Sequence, residues 1–286
     1  MPRFFDHLVV CVADLDAARA TYQALGFTLT PPADHPFGTR NSLALMQGSF
    51  IELLTVARPE AIPAPSPGRF SFGAHNQAFL KDGEGLSMLS LQGKDARDDA
   101  RAFAAEGLGD YEPFDFGRDA VMPDRRKVRV GFSLAFAVDP SFADMAFFTC
   151  QQQHPPELFW RAEFQKHANT AVRISEVVLP AEDPAAHREY LEKLMGTSAT
   201  LGEGELAVGP DSDRLILLDE KGMTKRYPET AGASPRVRAT RLLVEDLNAA
   251  RKQLDRNGVP HRLAERSLIV PHTAAHGIVL EFAEAR

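Results

Sequence analysis

One pattern occurs four times along the 286 residues, and it limits the fold more than any other feature. It is an apolar strand, an aspartate that opens an amphipathic helix, and then more strands. In the first copy, residues 4–12 form an apolar, β-rich run bounded by polar residues, which predicts a buried strand. Asp14 is placed to cap a helix in which Leu15, Ala18, Tyr22 and Leu25 recur at helical spacing, and Gly26 ends it. Strands predicted at 27–30, 42–46 and 50–56 complete a βαβββ unit. A second copy begins with a strand at 86–91 and a helix at 95–106 closed by Gly107, with later strands at 128–138 and 145–151. The third has a strand at 174–179, a helix at 183–195 closed by Gly196, and a strand at 214–218. The fourth has a strand at 237–244, a helix at 246–257, and strands at 267–270 and 278–282. Chance recurrence is a poor account of this, because Val12 to Ala18 (VADLDAA) and Val244 to Ala250 (VEDLNAA) match in sequence as well as pattern.

A single module of this kind cannot enclose a core. Two curved sheets joined edge to edge make a cup, which is where a ligand fits. The expected fold is therefore α+β: four βαβββ modules pairing into two cupped, barrel-like mixed β-sheet halves with helices outside. Module one could pair with module two or with module four. The expected division is an N-terminal domain at 1–150, a linker at 151–170 containing the single tryptophan, Trp160, and a C-terminal domain at 171–286. The proline-rich stretch 58–68 reads as an irregular connection between modules one and two.

Charge and cysteine content remove several function classes. The net charge is −7 and both signs are interspersed, which argues against a nucleic-acid groove or an anionic membrane surface as partner. Cys11 and Cys150 are too few for a disulfide scaffold and lack metal-pair spacing. No apolar run approaches the length of a membrane span, and the chain enters a strand with no cleavable signal, so a cytoplasmic location is expected. No Walker loop, dinucleotide fingerprint or serine elbow is present. His272 and His276 have the i, i+4 spacing that serves zinc in some helices, but Pro271 and Gly277 leave barely one turn for them.

The run Asp6-His7-Leu8-Val9-Val10 followed by Asp14 and its helix resembles the opening of the vicinal oxygen chelate superfamily. That superfamily includes glyoxalase I, bleomycin-resistance proteins and extradiol dioxygenases. The stretches from His35 to Asn41 and from Phe50 to Leu54 are similar to its glyoxalase-like-domain branch. The resemblance implies metal ligands on the first and last strand of each module, which puts His7 and Glu52 on ligand positions and in catalytic roles. A neutral imidazole and a carboxylate on neighbouring strands can hold a divalent ion with open positions for two adjacent substrate oxygens. Zinc, iron, manganese, nickel and magnesium are not distinguished.

The other modules depart from this pattern. Module two offers Met88 and the neighbourhood of Cys150, module three Glu176 with Leu217 or Leu218, and module four Ala239 with Glu281. Glu281 would join the metal only if module four folds against module one. Ligand-contacting candidates are His35 and Asn41 from the loop into the cup mouth, His75 from an aromatic-rich loop that could form a lid, and Cys150 or Gln151 from the last strand of module two. The expected protein is a glyoxalase-like small-molecule enzyme, divalent-metal-dependent, of isomerase, lyase or dioxygenase type. The competing expectation is a metal-free binding protein of the bleomycin-resistance kind. The partner is a small molecule, with no nucleic acid or membrane, and a homodimer stays open. The N-terminal half is expected to carry the site.

Overall fold

The computed structural model of the protein describes residues 1–121, 126–142, 144–234 and 236–284. The N-terminal half holds β1 (Phe5–Cys11), β2 (Ala33–Asp34), β3 (Thr39–Leu45), β4 (Phe50–Val56), β5 (Gly85–Gln92), β6 (Phe114–Val121), β7 (Lys127–Ala137) and β8 (Ala146–Gln152). Its helices are α1 (Leu15–Ala24), α2 (Phe72–Phe79) and α3 (Ala96–Glu106). The C-terminal half holds β9 (Ala171–Pro180), β10 (Thr200–Gly202), β11 (Glu205–Val208), β12 (Arg214–Leu218), β13 (Arg238–Val244), β14 (Arg262–Ala264), β15 (Ser267–Val270) and β16 (Ile278–Glu284). Its helices are α4 (Arg188–Met195), α5 (Glu220–Arg226) and α6 (Leu247–Arg256).

These strands form two mixed sheets of eight, ordered β2-β3-β4-β1-β5-β8-β7-β6 and β10-β11-β12-β9-β13-β16-β15-β14. The fold is α+β, with four βαβββ modules in two cupped halves. The open question of pairing is answered by the central ladders. β1 runs antiparallel to β5, joining module one to module two, and β9 runs antiparallel to β13, joining three to four.

Local chemistry explains the helix starts. Asp14, Asp95 and Asp246 each accept hydrogen bonds from two backbone N–H groups of the first turn, at 2.9–3.0 Å. Asp183 accepts one, from the N–H of Ala185 at 3.1 Å, and so caps a short 3-10 turn, Pro184–His187, that leads into α4. Two expectations need correction. Residues 27–30 are not a ladder strand: Pro31 and Pro32 follow with no N–H to donate, and of this stretch the two-residue β2 alone joins the sheet, at the free edge of β3. The segment around His75 is a helix rather than a loop, capped by the Ser71 hydroxyl on the N–H of Ala74.

Strand alternation separates the two faces of each sheet. Leu8, Val10, Ile51 and Leu53 face the helices, in one apolar core that also contains Ile174, Val177, Leu242 and Phe282 of the other half. Val9, Phe50, Leu54, Met88 and Phe148 face the opposite way, into the first cup. Val178, Ile216, Ala239 and Val279 line the second.

Candidate functional site

His7 and Glu52 both lie on the concave face of the first sheet, and both are about 5% exposed. The His7 Nδ1 is 2.5 Å from the Asp6 carboxylate, which holds the ring so that Nε2 points inward. That Nε2 lies 3.7 Å from the Glu52 Oε2, too far for a hydrogen bond and too close for indifference. The Phe50 ring stacks on the imidazole at 4.3 Å, and Phe148 meets it edge-on. The Asn41 amide donates to the Glu52 Oε1 at 2.6 Å and lies 3.2 Å from the His35 Nε2. The His35 Nδ1 bonds Thr39 at 2.8 Å, and its Nε2 is 3.9 Å from Glu52. The turn before β3 brings His35, and β3 itself brings Asn41, to the same carboxylate.

Electrostatics sharpen the picture. Burial raises the pKa of Glu52, and the nearby His7 and the Asn41 hydrogen bond offset it only in part. Burial, with the Arg118 and His7 charges, lowers His35 to about 3, so it is a neutral imidazole at ordinary pH. These groups, with Cys150, Arg118 and a ring of phenylalanines, surround an inner cavity of about 40 Å³. That is room for a water molecule or one small substrate group. Outside it lies a mouth of about 590 Å³, and His35, Leu43, Arg118 and Phe159 line both spaces.

Other candidates fall in different places. Cys150 lines the inner cavity, where burial first and then the charges of Asp6 and Glu52 push its thiol pKa well up. That is the environment of an inert thiol rather than a nucleophile. Gln151 points the other way, because it is the next residue along β8; its side-chain oxygen accepts from the N–H of Ala96 at the start of α3. His75 faces the Ser87 carbonyl at 3.2 Å and is outside the cavity lining, whereas Phe72 of the same helix is part of it. Glu281 is in the second sheet, where Arg241 donates to it at 2.7 Å, Arg226 at 3.0 Å and Tyr227 at 2.8 Å. It does not join His7 and Glu52, because module four pairs with module three.

Ladder register identifies the matching positions in each module. His7, Met88, Glu176 and Ala239 stand seven residues before the capping aspartates Asp14, Asp95, Asp183 and Asp246. The parallel ladders then place Phe148, Ile216 and Glu281 at the position of Glu52. The neighbourhood of Cys150 therefore contributes Phe148 to that position, and module three contributes Ile216 rather than Leu217 or Leu218. Module two brings a thioether and a phenyl ring where the resemblance calls for two donors. Among the described residues, no group of three or more His, Cys, Asp or Glu side chains is arranged to hold a metal ion. With the Asn41 amide bonded to Glu52 and beside the His35 Nε2, the donor set does not fit a resident divalent cation.

Asp6 and Arg118 are site residues that the sequence pattern does not single out. The alternation Phe114, Phe116, Arg118 along β6 was the available signal, and it marks the side of that strand that faces the cup.

Comparison with known proteins bears on this geometry. The sequence model of the family described as glyoxalase-like domain matches residues 5–195. The chain belongs to the glyoxalase-like domain family. The match covers both modules of the first cup and continues through α4. Among solved structures, a hypothetical protein from Staphylococcus aureus is similar to this glyoxalase-like protein with a TM-score of 0.70 at 15% identity, over 98% of this chain and 99% of that one. A triple mutant of 4-hydroxymandelate synthase from Streptomyces coelicolor gives a TM-score of 0.60 at 11% identity, over 100% and 94% of the two chains. A fusion of a xylose isomerase-like TIM barrel with 4-hydroxyphenylpyruvate dioxygenase gives 0.60 at 14%, over 99% of this chain and 49% of that one. At these identities the likeness shows the fold. No curated protein matches the chain significantly. Among the described residues, no helix is long and apolar enough to cross a membrane.

Proposed function

We propose that the first cup is the active site of a small-molecule enzyme that moves a proton on a compound with neighbouring oxygen atoms. The observation that carries this is the buried pair of His7 and Glu52, facing each other at 3.7 Å with no proton-sharing bond between them. Asp6 fixes the ring and favours the tautomer whose Nε2 carries a lone pair. Glu52, its pKa raised by burial, is suited to take a proton and return it. In the simplest cycle Glu52 removes the proton from a hydroxyl-bearing carbon beside a carbonyl. The C–H electron pair becomes the enediol double bond, while His7 shuttles a proton between the two oxygens. Returning the proton to the other carbon completes an isomerisation that needs no oxidant or reductant.

Met88 and Phe148 at the matching positions of module two favour a second reading, a binding protein without catalysis. Proton exchange separates the two. A panel of 2-hydroxy and 2-oxo acids and aldehydes is incubated with the protein in D2O, and loss of the carbon-bound proton is followed by NMR. Accelerated exchange that falls about 10²–10⁴-fold in both Glu52→Gln and His7→Ala supports the enzyme. Ligand binding with no accelerated exchange supports the binder. Elemental analysis of protein purified without chelator, before and after His7→Ala, reports on the metal that the resemblance implies.

A further inference from the structure

Among the described residues, Arg118 is a cavity-lining charge that the proton transfer leaves without a role. Its guanidinium lines both the inner cavity and the mouth, so it stands where the two spaces join. Its Nε is buried without a hydrogen-bond partner, and among the described residues it takes part in no ion pair. The other arginines of the mouth are engaged. Arg58 donates to the His35 carbonyl at 2.9 Å, Arg129 faces Asp119 at 3.6 Å, and Arg161 binds Glu163. Burial lowers the pKa of Arg118, and Glu52 is the one charge that supports its protonated form. A guanidinium left unpaired where it is largely withdrawn from water costs free energy that a bound anion would recover.

The walls around it are mixed: Thr30, Asp34, Asp119 and the three other arginines supply polar surface, and apolar side chains cover the rest. Leu43, Leu45, Val130, Leu158, Phe159 and Phe164 line the mouth, and about 590 Å³ accommodates a small organic molecule. We infer that Arg118 is the anchor for the carboxylate of the substrate, and that the first cup takes small acids with an apolar, ring-sized body. The inference rests on reading this cup as the substrate site. A carboxylate held by the planar fork keeps its attached carbon beside the inner cavity that Glu52 lines, while the apolar body lies along the leucines and phenylalanines of the mouth. Arg118 is on this account a substrate-binding residue, and it would set specificity for acids over the corresponding amides and alcohols.

Benzoate and its neutral isostere benzamide are suitable probes, with binding to the full chain measured by ligand-observed NMR titration. The expected result is at least tenfold tighter binding of benzoate, with the preference abolished in Arg118→Gln and kept in Arg129→Gln. The same titration on His7→Ala should keep the preference, because anchoring does not need the reacting pair. Loss of proton exchange with retained benzoate binding would therefore strike the catalytic reading and leave this one standing. Equal affinity for the two probes, or a preference that survives Arg118→Gln, would overturn it. So would a preference that falls equally in Arg118→Gln and Arg129→Gln, since that is the signature of diffuse positive charge. Circular dichroism of each variant confirms that the comparison is between folded proteins.

Discussion

Glu52 is a buried carboxylate held by one hydrogen bond from Asn41, and its folded state favours the protonated form. The sign of the linkage follows. A carboxyl whose folded pKa lies above its unfolded value contributes nothing adverse at low pH. It then costs stability progressively as pH rises from the unfolded toward the folded value. The cost therefore grows as pH rises above the unfolded value near 4.5 toward neutral. Glu52→Gln is therefore expected to raise the thermal midpoint at pH 7 while abolishing proton exchange, with a gain of about 2 °C for each kcal/mol recovered in a chain of this size. The gain should disappear when melting is repeated well below pH 4. Differential scanning calorimetry at the two pH values checks both halves of the statement, and an unchanged or lower midpoint at pH 7 would show that the carboxylate is better compensated than its surroundings suggest.

The equivalent element in the C-terminal half has solved the same electrostatic problem differently. On β16, Glu281 occupies the register position of Glu52, and Arg241 stands on β13 where β1 has Val9. Arg226, from α5, joins Glu176 and Glu281 across the mouth of the second cup, and Arg241 bonds both carboxylates from below. Burial would raise the pKa of Glu281, but the Arg226 charge and the Arg241 hydrogen bond outweigh it and bring it down to about 2. Here the sign is reversed: the stabilisation is complete above the unfolded pKa near 4.5 and is lost as pH falls toward 2. The network ties β9, β13, β16 and α5 together, and its acid loss should loosen those elements first. Amide exchange at pH 3 against pH 6 is expected to show faster opening of β13 and β16 than of β1 and β4. In Glu281→Gln that difference between the pH values should largely vanish, and its persistence would place the acid sensitivity elsewhere.

Across the whole molecule the halves are joined by more than a linker. Arg238, 4% exposed, reaches from β13 to the Leu86 carbonyl at 2.6 Å and to Asp144 at 2.7 Å. His276 meets Glu84 at 2.8 Å, and Asn169 donates to the Leu25 carbonyl at 2.9 Å. Gly277, with φ of +82°, passes so close to Glu84 that a Cβ would sit 2.1 Å from its carbonyl oxygen, so the contact needs glycine. The core between the sheets and helices is continuous from Leu8 to Phe282. Calorimetry should accordingly show one cooperative transition, and residues 1–150 expressed alone should lack a sharp melt because they expose that core. Arg238→Ala should cost roughly 1–3 kcal/mol, because the Leu86 carbonyl loses its buried donor and Asp144 keeps only Arg236. Two resolved transitions, or an independently folding 1–150 fragment, would instead support the division into two domains expected from sequence.

Sequence alone determined the repeat. Strand hydrophobicity, aspartate caps and glycine stops are local properties, set within a few residues of where they act, and all four modules carry them. The resemblance to the glyoxalase-like branch put His7 and Glu52 on matching ligand positions, and strand geometry turns both toward one concave face. Pairing was beyond the sequence's reach: whether β1 meets β5 or β13 depends on contacts far apart in the chain, and only that choice separated Glu281 from His7. The same holds for His35, which a proline-containing turn folds back toward Glu52, for Asn41, which reaches Glu52 from the neighbouring strand β3, and for Gln151, which a one-residue step along β8 turns away from the cup. Arg118 is the clearest case. Along the chain it is one arginine among many in an exposed-looking segment, and its lack of a partner is a property of the cavity that the two modules enclose together.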